Sequence, residues 1–356
     1  MKPIKFKENR VRRTYRGGKM IDLWRSAAVC ADCGRPEEWI ASAVLAVNRG
    51  KAPIDDEGLS RTEDGALLRD LISENPEKML GTAHTAHFGA EMGLLVKALD
   101  ACERLSIQVH PDKEAARRLF RSDYGKTEAW YILGGREING NPPCIYAGFL
   151  PGVTAKRWKE LFDRQDVQGM LDCLEKIPVH PGQVYLLRGG VPHAIGAGCF
   201  IIEIQEPTDY TIRTERTTAS GEAIPDFLCH QGLGFERMFD CFHYGDGEPA
   251  CRLSPHRPLQ SGGAVVTPLV TYGDTTAFSM EEWQVDGRAM MACNGTFYLL
   301  ICVSGGGRLL LDDGWDMPLR QGEYVFVPAD CGAIHLCSEG FKLLRCLPPC
   351  RGGVNG

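Results

Sequence analysis

Residues 105–133, LSIQVHPDKEAARRLFRSDYGKTEAWYIL, open on alternation. Leu105, Ile107 and Val109 fall on one face of an extended chain, and Ser106, Gln108 and His110 on the other, because successive strand side chains point to opposite sides. An amide and an imidazole aimed together from an apolar strand call for a partner between them, since a buried polar group without one is costly. Pro111 breaks the ladder, and residues 113–120 make a short charged helical excursion. The chain returns as a strand over residues 127–133, with Lys126 and Glu128 in step at its mouth. Imidazole and carboxylate are ordinary ligands of a zinc-type divalent cation. A second histidine is needed, and His193, presented by a turn through Gly189, Gly190 and Pro192, supplies it.

Elsewhere the pattern alternates between the two periods. The first thirty-odd residues read as short strands and turns, with a turn at residues 15–18. Residues 37–47 are an apolar segment with acidic residues at its start, and residues 49–62 are loop-like. Leu67, Leu68, Leu71 and Ile72 have helical spacing, ended by the polar run before Pro76. Residues 94–101 are an apolar run whose type the pattern leaves open. Trp158, Leu161, Phe162, Met170, Leu171 and Leu174 predict a helix or helical pair lying over a sheet. Residues 179–205 are rich in strands, with one over 184–187 and a return over 199–205. Many short strands separated by turn signals point to a β-barrel or sandwich.

A weak internal repeat extends this picture. Residues 181–193 read like residues 321–335, and residues 130–135 like residues 298–305. The C-terminal third is therefore read as a second small barrel and a degenerate copy. Asn294, Gly295 and Thr296 stand where the first copy has Glu128, and no QxH precedes them, so His335 is read as a structural imidazole without a metal.

Composition narrows the function classes. A chain of 356 residues suits two domains or one large enzyme. A net charge of −6 gives no electrostatic case for nucleic acid or an anionic membrane. The basic N-terminus has no apolar core and reads as a solvated strand edge rather than a secretory signal. No run of about 18 apolar residues predicts a membrane span. The 15 cysteines are odd in number and scattered, and Cys199, Cys293, Cys302 and Cys346 sit in apolar runs. That fits reduced thiols in a cytoplasmic protein. Cys30 and Cys33 form a CxxC with no second pair at zinc-ribbon spacing. His180, His230, His243 and His256 lie in polar, loop-like surroundings and receive no role.

LSIQVHPDK, GKTEAWYIL, GGVPHAIGAG and EIQEPTDYTIR, in this order, together with EEWIASA and LLVKALDA, resemble the type I mannose-6-phosphate isomerases in their shorter bacterial form. The resemblance implies a mainly β fold: a bicupin, two cupin-type β-barrels with helical additions to the first. Residues 1–240 would form the metal-bearing catalytic domain and residues 241–356 the degenerate one. It also implies one zinc ion per chain and interconversion of mannose 6-phosphate and fructose 6-phosphate. The family's zinc ligands fall on Gln108, His110, Glu128 and His193, its active-site arginine on Arg213, and a lysine beside the metal carboxylate on Lys126. Ser106 matches a serine implicated in holding the phosphate. Where relatives commonly read EIQQNSDTTYR this chain reads EIQEPTDYTIR, and an SAHP-like continuation after EEWIASA is missing.

Aldose–ketose isomerisation moves a proton through an enediol, and the developing charge on oxygen must be stabilised. Arg213 could stabilise the enediolate or grip a phosphate oxygen, and Lys126 could carry a proton or anchor the phosphate. Ser106 and Lys113 are candidate phosphate contacts. The expected partner is a small sugar phosphate, and the oligomeric state stays open. Two rivals remain. One is a cupin non-haem iron oxygenase, since two histidines and a carboxylate also describe that iron site. The other is a non-catalytic sugar-binding bicupin.

Overall fold

The computed structural model describes residues 1–48, 52–245, 251–254 and 256–350. The loop-like stretch 49–62 lies in part outside the described residues. The fold is mainly β, in three sheets. The first has seven strands in the spatial order Cys251–Leu253, Val184–Leu187, Glu128–Gly135, Cys199–Gln205, Leu95–Asp100, Glu37–Ile40 and Arg10–Val11. The second has five: Ile212–Arg213, Gln108–Val109, His193–Ile195, Cys144–Phe149 and Leu174–Pro178. The third has eight, built on the long strands Ser279–Met291, Tyr298–Leu310 and Ile334–Leu347.

Strand alternation decides which cores these sheets make. Trp130, Ile132 and Ile201 on one face of the seven-stranded sheet pack with Ile145, Ala147 and Ile195 of the five-stranded sheet. Their neighbours Ala129, Tyr131, Ile202 and Ile204 point the other way and pack with Leu299, Ile301, Phe326 and Leu344 of the eight-stranded sheet. The eight-stranded sheet encloses a further core of its own, with Val285, Leu300, Val325 and Leu336. On the outer face of the five-stranded sheet, Ile107, Val109 and Ile212 meet the helices Ala155–Asp163 and Val167–Leu171. The nine-residue helix is too short to stand alone in water. Thr154 caps it by accepting from the Arg157 N–H, and Trp158, Leu161 and Phe162 bury one face. Burial worth roughly 1.5–3 kcal/mol per such side chain holds it in place.

Several expectations change in detail. The strand read over residues 105–110 reduces to Gln108–Val109, and Leu105 turns into the inner core instead of joining Ile107 and Val109. The cause is remote in sequence: the Ile107 N–H donates to the Glu215 carboxylate at 2.6 Å. The excursion after Pro111 is one α-helical turn, Lys113–Ala115, capped by Asp112, followed by a π-helical turn, Ala116–Phe120. The run left open is the buried strand Leu95–Asp100. A helix, Lys19–Trp24, lies where short strands and turns were expected. The Asp100 carboxylate, remote in sequence, accepts from the Gly18 and Met20 N–H groups and so caps that helix.

A division between residues 240 and 241 does not partition the sheets. Ile4–Lys5 pairs with Tyr324–Val327 in the eight-stranded sheet, and Cys251–Leu253 extends the seven-stranded one beside Val184–Leu187. Among the described residues, no helix is long and apolar enough to cross a membrane.

Candidate functional site

Three buried side chains converge between the five- and seven-stranded sheets. His110 follows strand Gln108–Val109, His193 opens the strand paired with it, and Glu128 opens the strand Glu128–Gly135 opposite. Cross-strand register sets His193 against Gln108, and Gln108 against Arg213 on the other side. Gly189 and Gly190 let the chain reach His193: a side chain at Gly189 would collide with Asp112 backbone, and Gly190 has φ +89° against the His243 ring. The Gly190 N–H donates to the His110 carbonyl at 2.7 Å, which ties the two histidine segments together.

The hydrogen bonds fix the imidazole tautomers. His110 Nδ1 lies 2.7 Å from the Tyr210 carbonyl, and His193 Nδ1 lies 2.9 Å from the Val191 carbonyl. A carbonyl only accepts, so both Nδ1 atoms carry the proton and both Nε2 atoms present lone pairs. Those lone pairs face a carboxylate: His110 Nε2 is 3.2 Å from Glu128 Oε2, and His193 Nε2 is 3.3 Å from Glu128 Oε1. Burial, with Lys126 and His193 beside it, pushes His110 well below the ordinary histidine range. Burial also lowers His193, against the pull of Glu128. Burial would raise Glu128, but Lys126 and His193 outweigh it and hold the carboxylate ionised. Among the described residues, none donates a hydrogen bond to Glu128 Oε2, although that atom is fully buried.

Two neutral imidazoles and an ionised carboxylate, all acceptors, are a donor set for a cation. Their ligand atoms lie within 4.8 Å of one another. A tetrahedral zinc site with bonds of about 2.0–2.1 Å sets its ligand atoms roughly 3.3 Å apart. Each Nε2 lies near that distance from one Glu128 oxygen, His110 at 3.2 Å from Oε2 and His193 at 3.3 Å from Oε1. Lys126 Nζ, 3.0 Å from His110 Nε2 and 3.4 Å from Glu128 Oε2, is the nearby positive group. Burial lowers its pKa and Glu128 opposes that. The Gln108 amide nitrogen lies 3.3 Å from His193 Nε2, and rotating the amide would exchange it for its oxygen.

Beside the cluster opens a cleft lined in part by Ser106, Gln108, Lys126 and Arg213. Arg213 is half-buried, and its Nη1 donates to the Leu228 carbonyl at 2.8 Å and the Thr211 carbonyl at 3.4 Å. Lys113 does not line the cleft. It is 48% exposed and reaches Glu206 at 3.5 Å. In the eight-stranded sheet, His335 pairs with Asp312 at 2.8 Å, far along the chain from any QxH segment.

Sequence reasoning missed a row of charged and aromatic side chains across the seven-stranded sheet. Register sets Trp39 beside Lys97, Lys97 beside Glu203 and Glu203 beside Trp130, all on the face that carries Glu128. Lys97 Nζ is 3.3 Å from Glu203, and burial pushes the Glu203 carboxyl up to about 7, with Lys97 opposing and Glu128 reinforcing. The signal was present: a lysine inside LLVKALDA and a glutamate inside CFIIEIQ are charges in otherwise apolar strands.

The row ends at Glu37. Burial would raise this carboxyl, but Arg13, Lys97 and hydrogen bonds from Trp39 and Tyr15 bring it down from 4.5 to about 2. A lowered folded-state pKa stabilises the fold above the unfolded value, and that contribution is lost as pH falls from about 4.5 toward about 2. It is on the order of 3 kcal/mol. Glu37→Gln is therefore expected to flatten the acid limb of urea-unfolding stability in that window. A variant with the parent's slope would remove Glu37 from this account.

Comparison with known proteins agrees with this architecture. The model of the phosphomannose isomerase type I catalytic domain matches residues 54–128, and that of the mannose-6-phosphate isomerase cupin domain matches residues 269–345. The chain is 30% identical over 268 residues to a mannose-6-phosphate isomerase of Streptococcus mutans, covering 74% of this chain and 75% of that protein. It is 28% identical to a probable mannose-6-phosphate isomerase of Bacillus subtilis over 93% of each. The crystal structure of a Bacillus subtilis mannose 6-phosphate isomerase superposes with a TM-score of 0.75 at 23% identity, covering 97% of this chain and 99% of that one. A zinc-bound mannose 6-phosphate isomerase superposes at 0.73 with 17% identity, covering 98% of this chain and 100% of that one. Matches to both a catalytic and a cupin model, and a relative aligned over three-quarters of its length, make this chain a member of the type I mannose-6-phosphate isomerase family.

Proposed function

We propose that this chain is a zinc-dependent aldose–ketose isomerase interconverting mannose 6-phosphate and fructose 6-phosphate, or a close relative of that pair. The observation that carries the reading is the buried His110–Glu128–His193 cluster beside a cleft that also holds Lys126 and Arg213. His110, Glu128 and His193 would hold the zinc, with the Gln108 amide beside them. Bound there, zinc supplies Lewis acidity toward an oxygen of the open-chain sugar.

The chain's own residues do the rest. The Tyr210 and Val191 carbonyls fix the tautomers that turn both Nε2 lone pairs inward. Lys126, buried and lowered in pKa, stands where it can hold or pass a proton. Arg213 offers a permanent charge to an enediolate or to a phosphate oxygen. Ser106 lines the same cleft and is a phosphate contact in this reading. Lys113 takes no part, since its charge is directed to Glu206 outside the cleft lining.

The organisation proposed is a bicupin. The first barrel is formed by the seven- and five-stranded sheets around the cation site, with helices added outside. The second is the eight-stranded sheet. Each barrel borrows an edge strand from across the boundary near residue 240. The proposed location is the cytoplasm, in keeping with a sugar-phosphate substrate and many thiols.

The test is a coupled assay of purified protein across several aldose 6-phosphates, with metal analysis. One zinc per chain is expected, with mannose 6-phosphate turned over, activity lost to chelator and recovered with zinc. Iron with oxygen consumption and no isomerisation would favour the oxygenase. Sugar binding without turnover would favour the non-catalytic protein.

A further inference from the structure

Five cationic side chains line the cleft: Arg13, Lys97, Arg104, Lys126 and Arg213. Four are matched by carboxylates in contact, Arg104 by Glu215 at 2.6 Å. Lys97 meets Glu203 at 3.3 Å, and Lys126 meets Glu128 at 3.4 Å. Arg13 meets two, with Nε 2.8 Å from Glu37 Oε2, Nη1 3.1 Å from Asp209 Oδ2 and Nη2 3.3 Å from Asp209 Oδ1. Arg213 is different. It forms no ion pair with any carboxylate among the described residues and is held by the Leu228 and Thr211 carbonyls.

The anion whose field acts most strongly on Arg213 is Asp209, four residues before it and lining the same cleft. An unmatched half-buried guanidinium and a carboxylate lining the same cleft would ordinarily pair, because each lowers the other's desolvation cost. Here both Asp209 oxygens are occupied by Arg13. Arg13 is itself locked: it stacks over the Trp39 ring at 5.1 Å, and Trp39 Nε1 and the Tyr15 hydroxyl donate to the same Glu37 that Arg13 holds. The planar guanidinium suits this double grip, which a lysine could not reproduce.

We propose that Arg13 is a positioning residue that sequesters Asp209 and so keeps Arg213 available for the anionic group of the substrate. The inference rests on the sugar-phosphate reading above. Arg13 need not touch substrate. It sets the charge that the substrate meets at Arg213, and the helix that opens on Leu228's segment, Asp226–His230, supplies the carbonyl that aims that charge.

The test is calorimetric binding of fructose 6-phosphate to zinc-loaded protein, for the parent, Arg13→Met, Arg13→Lys and the double variant Arg13→Met/Asp209→Asn, with zinc content and melting temperature recorded for each. Arg13→Met is expected to weaken binding at least about tenfold with zinc content unchanged, as Asp209 pairs with Arg213. Arg13→Lys, which keeps the charge but not the fork, is expected to fall between the parent and Arg13→Met, and it serves if Arg13→Met does not fold. The double variant, with no carboxylate to capture Arg213, is expected to bind within about threefold of the parent. A purely structural role would show as a lowered melting temperature of Arg13→Met, from the stranded Asp209 charge, with the affinity of the folded protein left near the parent's. A double variant as weak as Arg13→Met, or an Arg13→Met or Arg13→Lys protein that binds like the parent, overturns the positioning role. A parent that binds no sugar phosphate instead overturns the proposed function.

Discussion

Glu128→Ala is expected to yield protein that purifies without zinc and has no isomerase turnover above background. Glu128 is the centre of the cluster, with one oxygen facing each imidazole at 3.2 and 3.3 Å. Removing it leaves two neutral nitrogen donors and no anion to offset a dication. The effect should exceed the 10–100-fold loss typical of a partner that only orients a ligand, and a fall in zinc affinity of about 10³-fold or more is the expected scale. The fold also loses stability, because Lys126 remains buried while the next carboxylate, Glu203, is committed to Lys97. Stranding one member of a buried ion pair costs about 3–5 kcal/mol. Glu128→Gln keeps the shape and loses the charge, so it separates the two effects. It should fold better than the alanine variant and still lose zinc. A Glu128→Gln protein that retains both zinc and turnover would reduce Glu128 to a packing role.

Much of this centre was legible because strand chemistry is local. Gln108 and His110 announce themselves by alternation, and Lys126 and Glu128 repeat the signal across the turn. What alternation could not give was the point at which a strand stops. Leu105 was placed with Ile107 and Val109, yet it turns inward because Glu215, more than a hundred residues on, takes the Ile107 N–H. The helix Lys19–Trp24 was hidden for the same reason, since its cap comes from Asp100. Lys97 and Glu203 escaped notice as a pair because each is a single charge in an apolar strand, and only the register between those strands makes them neighbours. Lys113 shows the converse limit. Closeness in sequence to the QxH segment makes this cation a candidate phosphate contact, while the helical turn that carries it sets its ammonium 3.5 Å from Glu206.

Arg213→Ala is expected to keep its zinc and lose about 10²–10³-fold in turnover, the range seen when a charge-stabilising group is removed from a preorganised site. The two effects separate because Arg213 is not in the cation cluster. It sits one strand over, opposite Gln108, and among the described residues its side chain donates to the backbone carbonyls of Thr211 and Leu228. Burial lowers its pKa, with Asp209 opposing, yet a guanidinium stays charged at any working pH. Its charge is therefore constant, and the carbonyls of Leu228 and Thr211 fix its direction before substrate arrives. Arg213→Lys keeps a point charge but loses the planar fork, so it should recover only part of the activity. The kinetic form of the loss tells which anion Arg213 serves. A raised KM with kcat preserved means that it holds the phosphate equally in the ground and transition states. A fall in kcat means that it meets charge that develops only during proton transfer. Zinc lost along with turnover would place Arg213 with the metal ligands, and turnover near the parent's with zinc retained would end its role in the chemistry.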